Sequence, residues 1–372
     1  MFSAPSIRRR GHTAGMSNDP VPAPGADGIA AELLRLSPSY APTPLLDLPR
    51  LAQRCGVAQV LAKDEGRRML GSFKSLGGTY AGLHALARAA GTTIAGLIDP
   101  ARRPAKLPAL VCASDGNHGL AVAAAARAAG APARIYLHAR VPAARADRIV
   151  AQGAEIVRVD GTYDDAVAAA AGAARAGSGI LVADTTDDPG DPVVQDVMAG
   201  YGVMAHEIRR QVEVAGHPRP THLFVQAGVG GLAAAMADGL AAWMAPPAAV
   251  IVVEPASVAC VAAALAADRP VRVPGELETA AEMLSCGEAS APALAVLRRH
   301  GARGLTVPEA ALGEATRLLR ELGGPATTPS GAAGLAGLLA LQAQAAGAGF
   351  GLDAASRVLI LVTEADLEED AA

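Results

Sequence analysis

Short apolar runs alternate along this chain with long alanine- and leucine-rich stretches, and that alternation restricts the fold more than any other feature. Runs such as Leu223–Gln226, Val250–Glu254 and Val358–Thr363 are too short for helices and apolar at nearly every position. Strands of that kind are buried on both faces, as in a parallel sheet covered by helices. Further strands are expected at Gln59–Lys63, Leu107–Ala113, Arg134–Leu137, Glu155–Val159 and Ile180–Ala183. Helices are expected between them, including Ser75–Ala90, Leu120–Ala129, Val193–Val214, Leu232–Trp243 and Gly331–Gln344. The implied class is α/β with largely parallel sheets. At 372 residues the chain is long enough for two domains. No linker stands out inside residues 29 to 367, so a second domain is expected to be woven into the first.

Composition excludes several partners. The net charge is −4, which disfavours nucleic acid and anionic membrane surfaces. The longest apolar stretch, Gly231 to Val253, is interrupted by Asp238, Pro246 and Pro247, so no membrane span is expected. Cys55, Cys112, Cys260 and Cys286 lack metal-ligand spacing, and no metal site is expected. Residues 1–28 read as a disordered leader and 368–372 as a tail, with Met16 as an alternative start. Arg8-Arg9-Arg10 has no apolar stretch after it, so no secretory signal is read there and the expected compartment is the cytoplasm.

Lysine is scarce. Lys63, Lys74 and Lys106 are the only three among 32 lysine and arginine residues. A lysine amine can lose its proton and attack a carbonyl, whereas arginine stays protonated. Lys74 sits in Gly71-Ser72-Phe73-Lys74-Ser75-Leu76-Gly77-Gly78, where glycines permit close approach of a ligand; an ordinary surface lysine near a turn is the alternative.

Two glycine-rich loops follow predicted strands and open helices: Ser114-Asp115-Gly116-Asn117-His118-Gly119 and Gln226-Ala227-Gly228-Val229-Gly230-Gly231. Loops so placed aim backbone N–H groups at an anion. The second lacks the Lys-Ser/Thr ending of a P-loop. Read alone, Gly228, Gly230 and Ala233 with Glu254 ending the next strand also fit a Rossmann dinucleotide site, and hence a nicotinamide-dependent oxidoreductase. Ser330, in Pro329-Ser330-Gly331, reads as a helix N-cap or as a hydroxyl offered to a ring nitrogen.

In this order, Phe73-Lys74, Ser114–Gly119, Gly228–Gly231 and Ser330-Gly331 resemble the fold-type II pyridoxal-phosphate enzymes, the tryptophan synthase β and threonine dehydratase superfamily. The resemblance covers residues 38 to 365. It implies two domains with open, mostly parallel sheets: a large one from 29–80 with 184–367, and a small one from 81–183. It implies that Lys74 holds pyridoxal 5′-phosphate as a Schiff base and that Asn117 bonds the cofactor's 3′ oxygen. Gly228, Val229, Gly230 and Gly231 would hold the phosphate, and Ser330 would face the pyridine nitrogen. A homodimer acting on a small amino acid is implied likewise.

Asp115 in Ser-Asp-Gly-Asn-His-Gly, Ala183-Asp184-Thr185, Val253-Glu254-Pro255 with Cys260, and Leu284-Ser285-Cys286-Gly287-Glu288 are similar to the diaminopropionate ammonia-lyases. The implied reaction is α,β-elimination of 2,3-diaminopropionate to pyruvate and two ammonia, with Lys74, Asp115 and Asp184 as catalytic residues. A serine/threonine dehydratase and a non-catalytic cofactor-binding relative are the alternatives within the superfamily. Ser285, and the stretch Asp187–Asp191, depart from the subfamily's pattern. Asp115 and Asp184 also suit a turn and a helix start, and His118 reads as structural. Cys260 and Cys286 lie in segments that could approach and bridge.

Overall fold

The computed structural model describes residues 25–114, 116–161, 163–343 and 349–366. The chain opens with α1 (Ala26–Leu36), β1 (Leu45–Asp47), α2 (Pro49–Arg54), β2 (Gln59–Asp64), α3 (Lys74–Ala89) and α4 (Ile94–Ile98). There follow β3 (Leu110–Ala113), α5 (Asn117–Ala129), β4 (Ala133–His138), α6 (Ala143–Val150), β5 (Glu155–Val159), α7 (Tyr163–Arg175) and β6 (Ile180–Leu181). The remainder is α8 (Pro192–Val214), β7 (His222–Gln226), α9 (Gly231–Leu240), β8 (Ala249–Pro255), α10 (Cys260–Ala267), α11 (Ala291–Arg299), β9 (Arg303–Val307), α12 (Glu309–Glu321), α13 (Pro329–Ala343) and β10 (Arg357–Val362). Helix α1 starts inside the segment read as leader and buries Ile29 and Leu33. The remainder of that segment and the tail lie outside the described residues.

Two sheets organise the chain. One runs β1-β2-β10-β7-β8-β9, parallel except for β1. The other, β5-β4-β3-β6, is wholly parallel and drawn from residues 110 to 181. In the larger sheet the period of two divides each central strand between two cores. Leu223, Val225, Val250, Val252, Leu359 and Leu361 face α8, α9 and α11. Phe224, Ile251, Val253, Val358 and Ile360 face α12 and α13. Each such side chain, fully buried, contributes about 1.5–3 kcal/mol. Strands β1 and β9 lie at the edges, and their residues are largely half-exposed. They lack a continuous apolar run for that reason, and the sequence pattern missed them.

Helix α3 lies against both α5 and α8. The boundary read at residue 80 therefore falls within a continuous helix. Gly77 makes the α3–α8 contact possible: a Cβ there would meet Tyr201 Cε1 at 2.4 Å. The N-terminal segment is tied to α8 by a buried charge cluster. Lys63 Nζ donates to Thr43 O, Glu207 Oε2 and Gln211 Oε1 at 2.8, 2.6 and 2.9 Å. Arg68 pairs with both Glu65 and Glu207. Here the scarce lysine directs its three donors into a closed shell of acceptors.

Candidate active site

The carboxyl ends of β3, β6, β7 and β10 converge on one cavity, as expected of an open α/β sheet. Lys74, the first residue of α3, enters from one wall. Its Nζ donates to Asp184 Oδ2 at 2.5 Å. Burial alone would lower the Lys74 pKa, but the Asp184 carboxylate outweighs it and the ammonium is held above its ordinary range. Burial would likewise raise Asp184; Lys74, with His118 assisting, holds the carboxyl well below the usual range. The resting pair is an ammonium and a carboxylate.

The cup Gly228–Gly231 lines the same cavity. Gly230 has φ +97°, and a Cβ there would stand 3.3 Å from Val261, so glycine serves both the turn and the packing. Helix α9 begins at Gly231, and no side chain caps it. Its first N–H groups are therefore available to an anion. Asn117 opens α5 and lines the same cavity. So does Ser330, whose Oγ accepts from Met283 N at 3.1 Å and keeps its own O–H to donate. An amine, an uncapped helix N-terminus, an amide and a hydroxyl thus surround one space. That set fits an aldehyde-bearing aromatic phosphate, with Lys74 to hold its carbonyl carbon.

Asp115 lies outside the described residues. His118 is buried, with Nε2 2.9 Å from Val182 O, and burial lowers its pKa. It is a packed, hydrogen-bonded residue. Glu254 is turned inward, where it accepts from Val261 N and Ala262 N at 2.8 and 2.7 Å. It caps α10, which removes the ribose contact that a Rossmann reading needs. Cys260 and Cys286 are not joined by a disulfide in the described structure; the Cys260 thiol donates to Gly228 O at 3.3 Å.

The cavity also holds residues to which the sequence reading gave no role, among them Tyr201 and Glu364. Tyr201 of α8 packs its ring 4.9 Å from that of Phe73. Burial pushes its hydroxyl pKa up, in the field of Lys74 and Asp184. Glu364, just beyond β10, accepts from Asn117 Nδ2 and Thr328 Oγ1, each at 2.5 Å. A carboxylate closing an apolar strand was the one available signal for Glu364; for Tyr201 it was the Gly200-Tyr201 pair downstream of Asp184, which resembles the ammonia-lyase subfamily but gave it no role.

Fold and cavity together are those of an α/β enzyme built around an aldehyde-bearing phosphate cofactor. Residues 36–364 match the family model described as pyridoxal-phosphate dependent enzyme, and the chain belongs to that family. Its cofactor is pyridoxal phosphate. The diaminopropionate ammonia-lyase of Salmonella typhimurium is 32% identical over 352 residues, covering 90% of this chain and 87% of the relative. The crystal structure of Escherichia coli diaminopropionate ammonia lyase with an aminoacrylate-PLP azomethine reaction intermediate superposes with a TM-score of 0.81. That pair is 29% identical, over 93% of this chain and 90% of the other. An L-threonine dehydratase of Corynebacterium glutamicum is 30% identical over 227 residues, 57% of this chain and 46% of the relative. No helix among the described residues is long and apolar enough to cross a membrane.

Proposed function

We propose that this chain eliminates ammonia from 2,3-diaminopropionate, consuming one water and yielding pyruvate and two ammonia. The observation that carries the reading is the Asp184 carboxylate 2.5 Å from the Lys74 amine. Bound pyridoxal phosphate supplies an electron sink that acidifies the substrate's α C–H and lets a β substituent leave. Lys74, once neutral, is the base beside that carbon. Its loss of charge leaves Asp184 buried and uncompensated, which is costly. A β-ammonium restores the ion pair as it binds and departs as neutral ammonia; the hydroxyl of serine or threonine restores nothing. The likeness to ammonia-lyases, at a TM-score of 0.83 against 0.74 for a threonine deaminase of similar coverage, supports the same choice.

Asn117, the cup Gly228–Gly231 and Ser330 would hold the 3′ oxygen, the phosphate and the pyridine nitrogen. Ser330 is a neutral partner that leaves the ring weakly electron-withdrawing and favours prompt loss of the β group. We assign Asp115 as the base for the second enantiomer, so Asp115→Asn should lose D-substrate turnover more than L. We also read residues 29–80 with 184–367 as a large domain, 81–183 as a small one, and the assembly as a homodimer, which light scattering checks. The deciding experiment is pyruvate release from L- and D-2,3-diaminopropionate, L- and D-serine, and 2-oxobutyrate release from L-threonine. Faster turnover of serine or threonine overturns the assignment in favour of a dehydratase.

A further inference from the structure

Glu364 stands where three segments of the cavity wall meet. Its backbone bridges Ser72, and its neighbours complete the clamp on the segment before Lys74: Phe73 N donates to Thr363 O at 3.2 Å and Ala365 N to Gly71 O at 3.0 Å. Thr327 Oγ1 donates to Glu364 O at 2.5 Å and joins the start of α13. The side chain is only 7% exposed, yet it lines the cavity. One carboxylate oxygen takes the Thr328 hydroxyl and the other takes Asn117 Nδ2. The elimination chemistry derived above gives this carboxylate no task.

Burial raises the Glu364 pKa, but the donors Thr328 and Asn117 oppose that, and each of its two oxygens accepts a hydrogen bond, the arrangement of an anion. An ionised carboxylate has acceptors only, whereas a side-chain amide has a donor end and an acceptor end. Glu364 can therefore pair with one end of Asn117, the NH₂. A neutral residue in its place would accept either orientation. We propose that Glu364 is a positioning residue for the cofactor, acting through Asn117: it accepts one N–H of the amide, fixes which end faces the cavity, and leaves the second N–H for the cofactor's 3′ oxygen. The inference rests on the assignment of Asn117 to that oxygen. Hydrogen bonds to a charged group are among the stronger ones, and Glu364 spends this one on orientation.

The test compares wild type with Glu364→Gln, Asn117→Ala and the double variant, by visible absorption of the holoenzyme and by pyridoxal phosphate titration of the apoenzyme. Glutamine keeps the size of Glu364 but can present a donor to Asn117. Glu364→Gln should move the visible band and weaken cofactor affinity by roughly tenfold or more, the loss of one charge-assisted bond. Both effects should vanish in the Asn117→Ala background, since the two residues act as one unit. Glu364→Asp, which keeps the charge but withdraws it, should move the band too and carries the test if the glutamine variant does not fold. A Glu364→Gln band and affinity like wild type overturn the proposal, as does a Glu364→Gln effect that adds in full to that of Asn117→Ala. If Asn117→Ala itself changes neither readout, the assignment of Asn117 fails and the proposal falls with it. Neither readout depends on which amino acid is turned over, so these outcomes are separate from a wrong substrate.

Discussion

Lys74 and Asp184, 110 positions apart in the chain, meet at 2.5 Å inside the cavity, and each sets the ionisation of the other. Burial would push both toward neutrality, but their mutual attraction prevails. Replacing Asp184 by asparagine should therefore depress diaminopropionate turnover by roughly 10²–10⁴, the range for losing a positioned charged group in proton transfer. Serine turnover should fall less, because its leaving group has no charge to match. Parallel loss on both substrates, measured as kcat/KM, would assign Asp184 to holding Lys74 alone.

The same pair gives a stability signature. Asp184 titrates lower in the folded chain than its ordinary 3.8, so its contribution is present above that pH and lost as pH falls below it. Lys74 titrates above its ordinary 10.5, so its contribution is present below that pH and lost above it. The unfolding free-energy gap between wild type and Asp184→Asn should be level between these limits and narrow on the acid side. Urea unfolding of the cofactor-free chain, in which Lys74 is a free amine, measures it at a series of pH values. A gap that widens in acid would contradict the pairing.

Lys74 is expected to carry the cofactor covalently. Borohydride reduction of the yellow holoenzyme, followed by peptide mass spectrometry, should place the adduct on Lys74. Lys74→Ala should lack the visible band and release no pyruvate above background. An adduct on Lys63 or Lys106 would refute the site.

Glu207 compensates both Lys63 and Arg68 in a space closed to water. Removing one partner of such a buried pair leaves charge unmatched, at a cost of about 3–5 kcal/mol. Glu207→Ala should lower the denaturant midpoint accordingly, whereas removing the exposed pair Arg317–Glu321 should change stability by no more than about 1 kcal/mol. Equal effects from the two would argue against the cluster as an anchor.

Glu254 tests burial in the opposite sense. Desolvation raises its pKa from 4.5 to about 8, although two backbone N–H groups favour the anion. The folded chain thus binds a proton that the unfolded chain has released, and stability from this group declines as pH rises across that interval. Glu254→Gln should remove that decline. A stability profile between pH 5 and 8 unchanged in slope would show that the carboxylate is ionised on the α10 N-terminus.

What could be read without a structure was local. Apolar runs such as Leu223–Gln226 determined the α/β class, because strands buried on both faces must be apolar throughout. Lys74, the cup Gly228–Gly231 and Ser330 could be singled out because each stands in a distinctive short run of residues, and all of them line the cavity. The edge strands β1 and β9 were not, since a half-exposed strand needs no apolar run. Glu254 was ambiguous until its carboxylate was found on α10. Glu364 and Tyr201 belong to the cavity only through tertiary structure. Asn117 and Glu364 lie 247 positions apart, and no sequence period connects them. Their pairing exists because strands from two sheets end at one place, and a buried carboxylate must take whatever donors the fold brings there.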